Sequence, residues 1–255
     1  MTDIGYAGMA DAWASGAALA YGPLARHLVS RAPAPVRGAR ALDAGAGSGV
    51  AGDALRAQGA RVVAADREFD MAAYGAASGP AVTADVTALP FRSGAFDVVV
   101  AAFVVNHLPD PVTGLAELRR VTREGCAVLA STFSGDRSVA KRAVDDVAAD
   151  YGFAAPDWYL GFRDSAQGFE DLASVERAVA ASGFVDWTVT EEAVDVGLSD
   201  PADVVRYRLG MPHLHRFAAA LPADVRASFV ADAVEAVRRT GERFAPVVIE
   251  AVAIA

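Results

Sequence analysis

Short apolar runs alternate with segments of helical spacing through the first half of the chain. The runs at 62–65 and 98–103 are continuously apolar, which is typical of strands covered on both faces. The pattern predicts strands at 39–43, 61–65, 81–84, 96–103 and 126–132, with helices at about 49–58, 68–76 and 111–123 between them. Because strands that alternate with helices require crossover connections, we expect an α/β fold with a parallel sheet.

The regular alternation stops after Ser131. The later pattern predicts helices at 136–150, 171–182, 222–239 and directly after Ser199-Asp200-Pro201, and strands at 184–194 and 247–254. We therefore expect two helical insertions, at about 134–170 and 197–241, to interrupt one sheet. The chain has 255 residues, of which 53% are hydrophobic and 22% charged, so we expect a single domain over residues 1–255.

The N-terminal segment, residues 7–31, is rich in alanine and carries apolar residues at helical spacing. Gly22-Pro23 interrupts the pattern and predicts two short helices. Two interpretations remain open at this point. The helices either pack on the main domain, or they form a lid, at about residues 1–35, that places Tyr6, Trp13 or Tyr21 over a ligand.

The charge balance and the single cysteine limit the partners and the location of the protein. A net charge of -9 argues against a nucleic-acid surface, which would need clustered lysine and arginine. Cys126 alone excludes a disulfide within the chain. The first residues lack the pattern of a secretory signal, and no uncharged apolar run has membrane-spanning length. We expect a cytoplasmic monomer or homodimer that binds neither nucleic acid nor membrane.

Three alternate glycines follow the first predicted strand, in the stretch from Asp43 to Gly49. Glycine allows a tight turn and a close backbone approach to a bound nucleoside or carboxylate. Asp66 ends the second strand 66 - 45 = 21 residues after Gly45, where an acid can accept both hydroxyls of a ribose. Dinucleotide-binding proteins share this spacing, but Val50 occupies the last glycine position of their pattern. The alternative is that Asp66 only caps helix 68–76.

Polar residues also follow the third and fourth predicted strands. Asp85 could accept a hydrogen bond from the exocyclic amine of adenine, with Val86 against the ring, or it could cap a helix. The fourth strand leads to Asn106 and His107. Because ligands of parallel sheets lie beyond the carboxyl ends of the strands, these residues are expected at the same edge as the glycine loop.

Four motifs in this order resemble the class I S-adenosylmethionine-dependent methyltransferases, in particular their small-molecule, type 11-like branch. They are residues 43–49, Asp66, the stretch 84–91 with Asp85 and Val86, and the stretch 96–110 with His107. The resemblance covers about residues 39–133, and strand 247–254 is consistent with the antiparallel seventh strand of that fold. It implies a Rossmann-like methyltransferase fold, a doubly wound and mostly parallel sheet of seven strands with helical cap insertions.

The resemblance also implies S-adenosyl-L-methionine as cofactor and S-adenosyl-L-homocysteine as product. Gly45 and Gly47 would approach the methionine part, and Asp43 would hold its ammonium group directly or through water. Asp66 would bind the ribose, Asp85 and Val86 would hold adenine, and Phe103 would flank the sulfonium. The cofactor-binding candidates are Asp43, Gly45, Ala46, Gly47, Gly49, Asp66, Arg67, Asp85, Val86 and Phe103.

His107 is the candidate catalytic base, because imidazole titrates near neutral pH; the alternative, which is favoured slightly, is a loop histidine hydrogen-bonded to backbone. We expect no metal. His213 and His215 lack a third ligand nearby, and Ser131-Thr132-Phe133-Ser134 offers none of the acid and amide ligands of catechol-type relatives. The candidates for the acceptor pocket are Tyr6, Trp13, Tyr21, Asn106, Trp158, Tyr159, Phe162 and His213.

These features favour transfer of a methyl group to oxygen, nitrogen or carbon of a small, partly apolar metabolite. In-line displacement can proceed by holding the acceptor about 3 to 3.5 Å from the methyl carbon, so proximity would be the main catalytic effect. One alternative is a methyltransferase-like protein that binds S-adenosylmethionine with altered or absent transfer activity. A less favoured alternative is an oxidoreductase that uses NAD or NADP.

Overall fold

The computed structural model describes residues 5–135, 138–166 and 169–255, and its description excludes the side chains of 162–166. Its strands are β1 Arg40–Ala44, β2 Arg61–Asp66, β3 Ala81–Thr83, β4 Phe96–Ala102, β5 Thr122–Phe133, β6 Asp186–Ala193 and β7 Val247–Ile254. They form one sheet in the order β3-β2-β1-β4-β5-β7-β6. Strands β1 to β5 pair in parallel, whereas β7 is antiparallel to both β5 and β6. This confirms the doubly wound, mostly parallel sheet.

The helices largely follow the predicted spacing. They are α1 Ala10–Ala12, α2 Ala18–Ser30, α3 Val50–Ala57, α4 Phe69–Gly75, α5 Pro111–Val121, α6 Val139–Asp150, α7 Asp157–Ala166, α8 Leu172–Ala181, α9 Pro201–Leu209, α10 Pro212–Ala220 and α11 Ala223–Thr240. Asp110 and Asp200 cap α5 and α9, each followed by proline in the first turn, where its missing N–H costs nothing. None of the described helices is long and apolar enough to cross a membrane.

The prediction of two short helices separated at Gly22-Pro23 is wrong. Helix α1, a π-helical turn at Trp13–Ala17 and α2 follow one another without a break, and Pro23 lies inside α2. A proline inside a helix costs about 3 kcal/mol. Complete burial of Leu24 and Leu28 offsets this cost, since each buried leucine contributes roughly 1.5 to 3 kcal/mol.

Two further boundaries differ from the sequence expectation by three or more residues. Strand β5 begins at Thr122 rather than at 126, because Thr122 pairs with Phe96 across a register shift in β4. Helix α6 begins at Val139 rather than at 136, where the Ser138 side chain accepts a hydrogen bond from the Lys141 amide. Neither change moves the strand ends at which the candidate site was predicted.

The two insertions pack against each other beyond the carboxyl ends of β4 and β5. Helices α6, α9 and α11 bury a common apolar cluster that includes Val144, Val205 and Phe229. The same cluster contains Phe103, directly after β4, and Tyr21 on α2. The insertions and the N-terminal helices therefore meet over the sheet edge at which parallel α/β proteins bind ligands.

Candidate functional site

The glycine loop lies between β1 and α3. Gly45, Gly47 and Gly49 all have positive φ, of 69°, 53° and 91°. At Gly45 glycine is also required by space, because a Cβ there would lie 2.2 Å from a methyl group of Val104. The loop thus passes directly against the segment that follows β4, which brings the ends of two neighbouring strands into one site.

Asp66 ties the end of β2 to this loop. Its Oδ2 accepts a hydrogen bond from the Gly47 amide at 2.7 Å, and its Oδ1 accepts one from the Glu68 amide at 2.8 Å. Burial raises the pKa of Asp66, and the two amide donors oppose that rise. Each carboxylate oxygen keeps a second lone pair, so Asp66 can accept further hydrogen bonds from a ligand.

Asp43 faces away from the cavity that the loop borders. Its carboxylate is 1% exposed and accepts a hydrogen bond from the Gly52 amide of α3 at 2.6 Å. Burial raises the pKa of Asp43 to about 7, although the Gly52 amide opposes the rise. Asp43 is not among the residues that line the cavity, and in this structure it joins β1 to α3.

Asp85 and Val86 lie beyond β3 and both line the cavity. The Oδ1 atom of Asp85 accepts hydrogen bonds from the amide and the hydroxyl of Thr87, at 2.8 and 2.7 Å. Burial would raise the pKa of Asp85, but these two donors outweigh it and the pKa is lowered. Asp85 is therefore ionised at neutral pH beside the buried, apolar Val86.

These elements border a cavity of about 940 Å³, a volume that includes space open to solvent. The lining residues are Tyr6, Trp13, Tyr21, Gly45, Ala46, Gly47, Val50, Asp66, Arg67, Glu68, Met71, Asp85, Val86, Ala102, Phe103, Val104, His107 and Leu108.

Phe103 holds an unusual backbone conformation at the end of β4. Its φ is 57°, the one positive value at a residue other than glycine in the described ranges. Such conformations cost about 1 to 3 kcal/mol and cluster at functional sites. The amide of Phe103 donates to the Ser131 carbonyl at 3.0 Å, and its ring lies 5.0 Å from Tyr21 and 4.6 Å from Phe133. The strained turn thereby directs an aromatic ring into the cavity wall.

The N-terminal segment covers one side of the cavity. The rings of Tyr6 and Trp13 are 5.4 Å apart, and Trp13 lies 5.0 Å from Tyr21. The segment is fixed by the Gly8 amide, which donates to Asp70 at 2.9 Å. These three aromatic residues both pack on the domain and line the cavity, so the two interpretations of the segment are compatible.

His107 lies in a short 3₁₀ turn, Val105–His107, and its partly exposed ring lines the cavity 5.9 Å from the ring of Tyr6. Burial, together with the nearby positive charge of Arg67, lowers the pKa of His107 to about 4. Its imidazole is therefore neutral at physiological pH. Asn106 does not line the cavity.

The remaining acceptor candidates lie behind the cavity wall. Tyr159 stacks on the buried His213, with ring centroids 3.9 Å apart, and Trp158 covers Gly5. None of these three side chains lines the cavity. Phe162 belongs to α7, but its side chain lies outside the described residues. Gly49 begins α3 without lining the cavity.

Sequence reasoning missed several lining residues: Val50, Glu68, Met71, Ala102, Val104 and Leu108. Most are apolar residues within a few positions of a predicted site residue, so proximity to the strand ends was the available signal. Glu68 is the exception, because it adds a third acid beside Asp66 and Asp85. Acids and aromatic rings thus line the same cavity, and Trp13 lies near the glycine loop, since its Nε1 would be 3.9 Å from a Cβ at Gly47.

A group of possible metal ligands lies elsewhere, between α2 and the strands β6 and β7. In the described part of the chain, His27, Glu192 and Glu250 bring one ligand atom each within 4.8 Å of one another. Arg31 lies in the same group, 2.5 Å from Glu192 and 3.9 Å from Glu250. Because a guanidinium already supplies positive charge there, we interpret the group as an ion-pair cluster.

Comparison with known proteins identifies the class. A family model described as a methyltransferase domain matches residues 42–130, the part of the chain that supplies the glycine loop, Asp66, Asp85 and His107. The chain belongs to the class I S-adenosylmethionine-dependent methyltransferases, enzymes that take S-adenosylmethionine as methyl donor.

The curated relatives include demethylmenaquinone methyltransferases. The protein from Mycolicibacterium vanbaalenii is 33% identical over 157 residues, which cover 58% of this chain and 68% of the relative. The protein from Clavibacter sepedonicus is 40% identical over 115 residues, which cover 43% of this chain and 47% of the relative. The first match is long enough to support membership of the methyltransferase family.

Solved structures share the fold at low sequence identity. A protein named as a methyltransferase from an antibiotic biosynthesis pathway of Anabaena variabilis has a TM-score of 0.64 and 16% identity, covering 91% of this chain and 96% of that chain. Phosphoethanolamine N-methyltransferase 2 of Haemonchus contortus has a TM-score of 0.59 and 16% identity, and the match spans 91% of this chain but about half, 52%, of that one. The [4+2]-cyclase SpnF has a TM-score of 0.53 and 18% identity, with coverages of 91% and 80%.

Proposed function

We propose that the protein transfers the methyl group of S-adenosylmethionine to oxygen, nitrogen or carbon of a small, partly apolar metabolite. The composition of the cavity wall carries this proposal: Asp66, Glu68 and Asp85 line it together with the rings of Tyr6, Trp13, Tyr21 and Phe103. When bound, S-adenosylmethionine supplies a methyl group on a positively charged sulfur. The acids suit a cationic nucleoside, and the aromatic rings suit an apolar acceptor.

The lining residues fit the cofactor by chemistry and by space. We assign the methionine part of the cofactor to the backbone of Gly45 and Gly47, the ribose to Asp66, and adenine to Asp85 and Val86. A side chain at Gly45 would clash with Val104 and displace the loop, and the acids offer acceptors to hydroxyl and amine groups. Asp43 supports this site by fixing α3 against β1, since its carboxylate binds the Gly52 amide.

The acceptor end is enclosed by Tyr6, Trp13, Tyr21 and Phe103. These rings can exclude water and hold an acceptor in line with the methyl group, so we assign the rate enhancement mainly to proximity and orientation. The family model ends at residue 130, before the insertions, so we propose the acceptor by chemical class only. The segment at about 1–35 serves as a lid and the two insertions as a cap within a single domain.

The test of this function separates binding from transfer. Isothermal titration should show binding of S-adenosylmethionine and S-adenosylhomocysteine, and a panel of small aromatic and aliphatic acceptors should contain at least one that becomes labelled from methyl-labelled donor. Absence of binding would contradict the proposal. Tight binding without any labelled acceptor would favour the alternative, a protein that binds S-adenosylmethionine with altered or absent transfer activity. The [4+2]-cyclase SpnF has a similar fold.

His107 is proposed as the base for an acceptor that carries a proton. Its neutral imidazole can take the proton as the acceptor is methylated, and such catalysis contributes about 10²- to 10⁴-fold. Because burial lowers the pKa of His107 to about 4, turnover that needs the neutral ring should persist as pH falls through 6.5 and be lost only near pH 4. We expect His107→Ala to lower kcat by about that factor and to lack this acidic limb, as measured by pH–rate profiles. Full turnover in the variant would remove the assignment.

A further inference from the structure

Arg208 lies on α9, which packs against the Trp13–Ala17 turn and α2, and is only 4% exposed. Its Nη2 donates to Asp145 at 2.6 Å, and that carboxylate is itself 35% exposed. Its Nε is buried and has no hydrogen-bond partner among the described residues. Because a buried donor without an acceptor is unfavourable, this N–H indicates a place for a further acceptor.

Two phenol hydroxyls also have no hydrogen-bond partner in the part of the chain that the structure describes. Tyr6 and Tyr21 line the cavity, and neither hydroxyl makes a hydrogen bond to a residue that the structure describes. Burial raises the pKa of both phenols, so each keeps its proton at physiological pH and can act as a donor. The Arg208 guanidinium lies close enough to Tyr21 to oppose part of that rise.

The unpaired donors converge from separate elements. Tyr6 comes from the N-terminal segment, Tyr21 from α2 and Arg208 from α9. The Tyr21 ring lies 6.3 Å from the ring of Tyr207, the residue before Arg208 in the chain. Among the acidic side chains that line the cavity, Asp66 lies near enough to Tyr6 to raise the pKa of its phenol further, whereas none of them acts on Tyr21, on which the Arg208 charge acts instead. The part of the cavity around Tyr21 therefore combines apolar rings with a phenol donor and lies near one buried positive charge.

We propose that the end of the cavity bounded by Tyr6 and Tyr21 binds an anionic oxygen group of the methyl acceptor, a carboxylate or a phosphate. The two hydroxyls donate hydrogen bonds to this group, and Arg208 supplies the compensating charge. This inference rests on the proposed function, because it specifies the acceptor of the same site. The competing explanation is that Arg208 and Asp145 form only an ion pair that joins α9 to α6.

The test uses the protein saturated with S-adenosylhomocysteine and three probes: benzoate, phenyl phosphate and the neutral benzyl alcohol. We expect one of the two anions to bind at least about 10-fold more tightly than benzyl alcohol by isothermal titration, since hydrogen bonds to a charged group contribute about 1.5 to 3 kcal/mol. The anion that binds more tightly identifies the carboxylate or the phosphate class. Equal affinity for all three probes, or no saturable binding of either anion, overturns the proposal.

Substitutions locate the site. Tyr21→Phe removes one hydroxyl, and we expect it to weaken anion binding about 10-fold while benzyl alcohol binds as before. Arg208→Gln should weaken anion binding further, whereas Arg206→Gln on the same helix, where Arg206 is exposed and paired with Asp203, should not. Unchanged anion affinity in Tyr21→Phe overturns the proposal even if the Arg208 variant fails to fold.

Asp145→Asn distinguishes a ligand site from an ion pair. If Arg208 serves a ligand, loss of the competing carboxylate should raise anion affinity severalfold, whereas an ion pair alone predicts lower stability and no gain in affinity. Titration of S-adenosylhomocysteine itself is the separate measure of the proposed function. If it binds and the anions do not, only the oxyanion site is refuted. If it fails to bind, the affinities of the three probes are measured on the protein without S-adenosylhomocysteine, and the same comparison of anions with benzyl alcohol tests the oxyanion site.

Discussion

Replacing Gly45 by alanine is expected to abolish measurable binding of S-adenosylhomocysteine and to lower the free energy of unfolding by roughly 2 to 4 kcal/mol. The φ of 69° disfavours any side chain, and the added Cβ would lie 2.2 Å from Val104. Either the glycine loop or the turn after β4 must then move, and both border the cavity. Isothermal titration and denaturant unfolding measure the two effects.

Two variants separate backbone strain from the loss of the site. Gly38→Ala has a similar φ of 75° with no atom within 4 Å of the added Cβ, so it should cost only about 1 to 2 kcal/mol and leave cofactor affinity unchanged. Gly45→Ala combined with Val104→Ala should recover part of the stability by relieving the clash. Wild-type affinity in the single Gly45→Ala variant would contradict the assignment of the loop to the cofactor.

Replacing Asp66 by asparagine should weaken binding of S-adenosylhomocysteine by roughly 10- to 100-fold, because a hydrogen bond to a charged group contributes about 1.5 to 3 kcal/mol. The amide has one oxygen, so it cannot accept from both the Gly47 and Glu68 amides as Asp66 does. One of those donors would face an NH₂ group, which should also loosen the glycine loop. Isothermal titration measures the affinity.

The matched control is Asp53→Asn. Asp53 is exposed on α3 and pairs with Arg56 in an (i, i+3) arrangement, so its loss should cost less than about 0.5 kcal/mol and leave the affinity unchanged. Equal affinities of the Asp66 and Asp53 variants would refute the role assigned to Asp66. A loss confined to the Asp66 variant would place the ribose at the end of β2.

The alternating pattern predicted the parallel sheet and the edge at which the cavity lies, because each strand and each turn depends mainly on residues close in sequence. Asp66, Asp85 and His107 directly follow strands, so their common location follows from the parallel arrangement alone. The helix break at Gly22-Pro23 was predicted wrongly because it depends on contacts with residues far away in the sequence. Burial of Leu24 and Leu28 against distant residues outweighs the local preference of proline.

The sequence by itself determined the class of fold, the glycine loop and the acids that follow the strands, since these features are set by local spacing. Only the tertiary structure decided that the Asp43 carboxylate binds the Gly52 amide of α3, that Tyr6 and Tyr21 line one cavity, and that Arg208 lies near Tyr21. Those residues come from elements far apart in the chain. Their meeting depends on how the insertions pack over the sheet, and no short-range pattern of apolar and polar positions records that packing.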